Sequence, residues 1–140
     1  MPSYVYVAAQ DDNHIAVFTI NDETGGLTPQ AAIPMAGGPS LLAMSPNRHC
    51  LYVGHRTVPE ISSHRIDPGT GGLTRLGSVA PPDSAGFLAT DRSGHIAAGG
   101  LRTLYVSRAA LALRFPAHRI RRRAGQCFVL CPGLMGQILI

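Results

Sequence analysis

The residues of this 140-residue chain best placed to do chemistry fall in two short polar stretches, Gln10-Asp11-Asp12-Asn13-His14 and His55-Arg56-Thr57. An imidazole changes charge near neutrality, so His55 can serve as a general base or hydrogen-bond donor, with His14 as its counterpart in the earlier stretch. Arg56 adds a permanent cation beside His55, and Gln10 an uncharged donor and acceptor. Each of these also reads as an ordinary exposed loop residue. No serine stands in Gly-x-Ser-x-Gly, so a covalent hydrolase mechanism has no support. Of the three cysteines, Cys127 and Cys131 lack a second pair at ligand spacing, so no metal site is expected. Cys50 sits at an apolar strand position and reads as a small buried hydrophobe.

What must position these stretches is an internal repeat. Tyr6-Val7 recurs as Tyr52-Val53, Ile15 as Ile61, Ile20 as Ile66, and Thr24-Gly25-Gly26-Leu27-Thr28 as Thr70-Gly71-Gly72-Leu73-Thr74, all 46 positions apart. The same offset carries Leu41-Leu42-Ala43 onto Phe87-Leu88-Ala89, so the register holds from about residue 4 to about 95. A period of this length, filled with short strands and turn residues, is that of a propeller blade. The complete copy divides into strands at 39–44, 50–54, 60–66 and 73–79, numbered from the innermost outward. Asp67-Pro68-Gly69-Thr70-Gly71-Gly72 supplies a side-chain acceptor, a fixed φ and glycines free to take positive φ, as a tight reversal needs. Ser45-Pro46-Asn47 signals a type I turn between first and second strands.

The fold class expected is therefore all-β: a β-propeller fragment of about two four-stranded antiparallel blades, with an irregular or partly helical C-terminal tail. The chain begins with a second strand, 4–8. The count is one blade lacking its inner strand, one full blade, and the opening strand of a third. Because a blade buries its faces against neighbours on both sides, two blades cannot close a ring. In such a ring the loops from fourth to first strand and from second to third strand emerge on one face, around the mouth of the central channel. That places residues 10–14, Gly37-Gly38-Pro39, His55-Arg56-Thr57 and residues 81–84 on a single rim. His64 stands where the earlier copy has Phe18 and reads as a strand residue.

Composition divides the chain at the same place as the repeat. An apolar share of 45% with 14% charged residues suits a packed core. Residues 1–100 hold all eight acids against five arginines, whereas 101–140 hold seven arginines and no acid. After Gly94-His95 comes Ile96-Ala97-Ala98-Gly99-Gly100, with no further copy of the Thr-Gly-Gly-Leu-Thr loop. The domain reading is thus 1–96 as an incomplete propeller and 97–140 as a basic tail, out of frame or disordered. A frameshift or truncated gene near residue 97 explains the break better than a genuine basic extension. The Arg119-Ile120-Arg121-Arg122-Arg123 cluster could neutralise phosphates, yet few aromatics accompany it, so nucleic-acid binding is not expected. The apolar stretch 127–140 is shorter than the roughly 20 residues of a membrane span and is broken by Pro132, Gly133 and Gly136. No export signal opens the chain, which makes a cytoplasmic location the default expectation.

Taken in order, Tyr4-Val5-Tyr6-Val7-Ala8, Ile15-Ala16-Val17-Phe18, Gly37-Gly38-Pro39-Ser40, Met44-Ser45-Pro46-Asn47, Leu51-Tyr52-Val53-Gly54 and Thr70-Gly71-Gly72-Leu73-Thr74 resemble the N-terminal part of the lactonase family of seven-bladed propellers. The best-known activity of that family is the cycloisomerase 2-like 6-phosphogluconolactonase. The resemblance implies hydrolysis of 6-phosphoglucono-1,5-lactone to 6-phosphogluconate in the pentose phosphate pathway, with a sugar lactone as partner and no cofactor. It also implies, at Arg56, an arginine that contacts phosphate or carboxylate; the rim geometry, apart from the resemblance, adds His55 as candidate catalytic base or donor and Gln10 and His14 as candidate substrate contacts. The family's later blades, which resemble the home of its other site residues, are missing, so the chain alone is expected to be inactive. The alternative is a non-catalytic β-rich fragment that self-associates through its open blade edges.

Overall fold

A computed structural model describes residues 2–81, 84–92, 95–99, 104–108 and 118–119. Among the described residues eleven strands follow one another: β1 (Ser3–Ala9), β2 (His14–Ile20), β3 (Leu27–Pro34), β4 (Pro39–Met44), β5 (Cys50–His55), β6 (Ile61–Ile66), β7 (Leu73–Val79), β8 (Phe87–Thr90), β9 (His95–Gly99), β10 (Leu104–Arg108) and β11 (His118–Arg119). They form three antiparallel sheets, β1-β2-β3, β4-β5-β6-β7 and β8-β9-β10-β11, each with sequence neighbours paired. These are blades A, B and C. Among the described residues blade A has no inner strand, in line with the repeat, and the strands of blade B agree with the expected bounds to within one residue.

In blades A and B the β2–β3, β4–β5 and β6–β7 hairpins close through the chemistry of their turn residues. In blade A, Asn21 Oδ1 accepts from the amides of Glu23 and Thr24, both at 3.0 Å. In blade B, Asp67 Oδ1 accepts from Gly69 at 2.8 Å and Thr70 at 3.2 Å. Gly25 and Gly71 then take φ of 69° and 70°. The two loops are one design used twice. Between β4 and β5, the Ser45 hydroxyl donates to Asn47 Oδ1 at 2.6 Å and accepts from the Cys50 amide at 2.9 Å.

The blades stand side by side, with β4, the inner strand of blade B, in contact with β1 of blade A on one side and β8 of blade C on the other. Alternation along β5 sends Leu51 and Val53 toward blade A and Cys50 and Tyr52 toward blade C. Two cores result. One joins Tyr6, Ile15 and Val17 of blade A to Leu42, Leu51 and Val53 of blade B; the other joins Leu41, Tyr52 and Ile61 of blade B to Leu88 and Ile96 of blade C. Every residue of β5 is buried, which fits a strand covered on both faces. Burying one such aliphatic side chain contributes about 1.5–3 kcal/mol, so each interface is a substantial share of the stability.

Of the tail expected from residue 97, the structure describes 97–99, 104–108 and 118–119, and all of these are in strands. β9 occupies the second-strand position of blade C although its sequence lacks the Tyr-Val pair, because ladder pairing uses the backbone alone. The arginine cluster at 121–123 and both Cys127 and Cys131 lie outside the described residues. Among the described residues no helix is long and apolar enough to cross a membrane.

Candidate functional site

Three loops meet at one end of the A–B blade pair: the β1–β2 turn at 10–13, the β3–β4 linker at 35–38, and the β5–β6 turn at 56–60. Asn13 organises them. It sits at φ 51°, a conformation asparagine tolerates, and its Oδ1 accepts from the Gly38 amide at 2.9 Å while its carbonyl accepts from Met35 at 2.8 Å. The linker is fastened on its other side as well. The amides of Arg56 and Thr57 donate to the carbonyls of Gly38 and Gly37 at 2.8 and 3.1 Å.

Gly38 marks where the rim side chains converge. A methyl group there would lie 3.1 Å from Thr57 Cγ2, 3.5 Å from Gln10 Cγ and 3.7 Å from Arg56 Cβ. Gln10 and Arg56, both exposed, therefore share one small patch. The other two expected site residues do not join it. His14 opens β2 on the face opposite Ile15, away from blade B, and is half-buried. Of residues 81–84, Pro82 and Asp83 lie outside the described residues.

His55 lies beneath the rim instead of on it, with only 1% of its surface exposed. The physical reason is one residue of register: β5 continues through His55, whose amide bonds Glu60, so the side chain turns into the A–B interface. There its Nε2 lies 2.7 Å from Ser62 Oγ, which in turn lies 2.9 Å from His64 Nε2. One hydroxyl has one proton, so it donates to one ring and accepts from the other, and the two imidazoles carry opposite tautomers. Nδ1 of His55 finds no partner in hydrogen-bond geometry.

Burial sets the charge state of this chain of groups. It holds the His55 pKa below its ordinary value, with the nearby Glu60 carboxylate and Ala36 backbone opposing and Arg75 assisting. His64 is pushed down to about 4, by burial first and then by Arg75 and His55. Both rings are neutral at pH 7. Glu60, beside them, accepts from Arg75 in an ion pair, and its pKa is lowered by a hydrogen bond from Ser78 and by Arg75. Glu60, His64 and Arg75 border an open cleft of about 380 Å³ between blades A and B, whose walls also include Met35 and Gly37.

Ser62 was not singled out in the sequence, and His64 only as a strand residue. A signal for them exists: they stand two apart on the strand face where the earlier copy has Ala16 and Phe18, so two polar groups occupy a buried apolar slot. Among the described residues no cluster of three or more His, Cys, Asp or Glu could hold a metal ion. Cys50 is buried, and that burial raises its thiol pKa despite Arg65 nearby.

Comparison with known proteins follows the same outline. A family profile described as Lactonase, 7-bladed beta-propeller, matches residues 2–90. A curated 6-phosphogluconolactonase of Enterobacter sp. (strain 638) is 32% identical over 100 residues, which cover 71% of this chain and 30% of that protein. Among solved structures, a candidate 6-phosphogluconolactonase of Bacteroides fragilis NCTC 9343 superposes with a TM-score of 0.70 at 21% identity, covering 83% of this chain and 35% of that one. A periplasmic gluconolactonase of Pseudomonas aeruginosa superposes with a TM-score of 0.60 at 19% identity, over 74% of this chain and 34% of its own. These structural likenesses speak to the fold. The chain spans about a third of the length of the proteins it matches.

Proposed function

This chain belongs to the lactonase family of seven-bladed β-propellers, and from that membership we propose that its rim binds a phosphorylated sugar lactone for hydrolysis, with 6-phosphoglucono-1,5-lactone as substrate and 6-phosphogluconate as product. The observation that carries the reading is the convergence of Gln10 and Arg56 on Gly38, at the end of blades A and B where three loops meet. Arg56 presents a planar fork to the phosphate or the carboxylate, and the Gln10 amide reaches a sugar hydroxyl or the lactone oxygen. Hydrolysis is attack of water on the ester carbonyl, which needs a base for the water and donors for the tetrahedral oxyanion. In this reading the two blades supply substrate contacts, and the groups that complete the reaction belong to the rest of the ring. The relatives' names support the substrate class, and we place the enzyme in the cytoplasm.

The chain alone is expected to hydrolyse the lactone no faster than buffer. Residues 2–90, exchanged for the matching segment of the Enterobacter relative, should give a chimera that hydrolyses it well above buffer. Arg56→Ala in that chimera should lower kcat/KM by about tenfold or more, the scale of one lost charged contact. A folded chimera without activity, or one indifferent to Arg56→Ala, contradicts the reading. The second reading, a non-catalytic module, draws on the inner edge of β1, which pairs with no strand among the described residues.

A further inference from the structure

We propose that His55 is a positioning residue: held from below by Ser62, it props the Ala36-Gly37-Gly38 linker and thereby sets where Arg56 and Gln10 stand. The inference rests on the rim as the substrate site, and it assigns His55 a role that acts through the loops, with no substrate contact.

The geometry carries it in three steps. The ring is anchored at one end, where Nε2 meets a Ser62 hydroxyl that is itself fully buried and tied to His64. At the other end it bears on the linker: a methyl group on Gly37 would stand 2.9 Å from His55 Nδ1 and 3.0 Å from Val58 Cγ2. Only a glycine lets the backbone come this close, and its φ of 96° adds a second reason for glycine there. The linker that rests on the ring is the same one whose Gly37 and Gly38 carbonyls take the Thr57 and Arg56 amides. Imidazole, linker and rim arginine are thus a continuous stack. A ring with 1% exposure, roofed by the linker, has no path to a substrate on the rim.

This division of labour also accounts for the buried polar chain itself. Two imidazoles and a hydroxyl in an apolar interface are costly unless they satisfy each other. The Ser62 hydroxyl does this for Nε2 of both rings, and the result is a rigid, flat support that aliphatic residues, free to change rotamer, would supply less well.

The test is amide hydrogen exchange on the full 140-residue chain. His55→Ala should speed exchange at Arg56 and Thr57 by about tenfold or more, while amides of a bonded pair in the β1–β2 ladder, Tyr6 and Val17, change less than about twofold. His55→Gln, whose amide can reach Ser62, should restore most of the protection at both sites. Equal acceleration at all four amides, or no change at Arg56 and Thr57, overturns the proposal. Should His55→Ala aggregate, Ser62→Ala serves instead, since it keeps the ring and removes its anchor; unchanged exchange at Arg56 and Thr57 in that variant overturns it as well. Titration of the unaltered chain with 6-phosphogluconate separates the two claims. Absent shifts at Gly38 and Arg56 with the exchange pattern intact would remove the substrate site and, with it, the positioning role, whereas saturable shifts that weaken in His55→Ala support both.

Discussion

The hydroxyl of Tyr6 donates to the backbone carbonyl of Gly71 at 2.8 Å, joining β1 of blade A to the β6–β7 turn of blade B across 65 residues of sequence. Tyr4, two residues earlier on the same face, does the same to Gly69 at 2.7 Å. The Tyr-x-Tyr of the opening strand is therefore a pair of latches that fix one blade to the outer turn of the next.

Tyr6→Phe should keep the packing and lose the buried hydrogen bond, costing about 1–2 kcal/mol in urea unfolding, because the Gly71 carbonyl is left without its donor. Burial, with Tyr4 and Asp67, raises the Tyr6 pKa to about 12. The folded state thus favours the protonated phenol, so this contribution is complete below pH 10 and is lost as pH rises toward 12. The phenylalanine variant should show a shallower loss of stability in that window.

Gly71→Ala and Gly25→Ala test the same turn position in the two copies. Both residues have positive φ, but a methyl at Gly71 would stand 2.5 Å from the Tyr4 ring, while at Gly25 nothing lies within 4 Å. We expect about 1 kcal/mol of destabilisation at Gly25 and about 3 kcal/mol at Gly71, read from paired thermal melts. Equal costs would mean that the latch does not press on the turn.

Val53 and Val7 occupy equivalent places in the repeat, yet Val53 is 0% exposed against blade A and Val7 is 46% exposed. Val53→Ala should cost about 2 kcal/mol and Val7→Ala less than about 0.5 kcal/mol by denaturant unfolding. The contrast measures what a neighbouring blade contributes to one side chain.

Acid should weaken the A–B interface through the buried histidines. His55 and His64 have folded pKa values below the ordinary 6.5, His64 near 4, so the unfolded chain binds protons first. Their contribution is present above pH 6.5 and declines as pH falls toward 4. His64→Phe, which installs the residue of the earlier copy, should flatten stability between pH 6.5 and 4 in urea titrations at stepped pH. An unaltered slope would mean that the imidazole is accessible and already solvated.

The spacing of Tyr6 from Tyr52 and of Gly25 from Gly71 was enough to read the blades, their strand order and the rim loops, since a repeat reports both the pairing and the face of each residue. The burial of His55 was not legible in the same way. Whether it ends a strand or begins a loop turns on a single residue of register, and local turn chemistry does not decide that. The bridge to Ser62 and His64 depends on blade A covering that face, a tertiary fact with no local signature. Of blade C the repeat announced only the opening strand, for the opposite reason: Ala97, Ala98 and Gly99 have little strand propensity, and they pair with β8 through the backbone regardless.

The most direct test of the account is a titration of 6-phosphogluconate into the isotopically labelled chain, followed by amide shifts, alongside the Arg56→Ala variant. The account predicts saturable shifts at Gly38, Arg56 and Thr57, with affinity falling by about tenfold or more in Arg56→Ala. Shifts confined to the blade edges, or equal affinity with and without the Arg56 guanidinium, would contradict it.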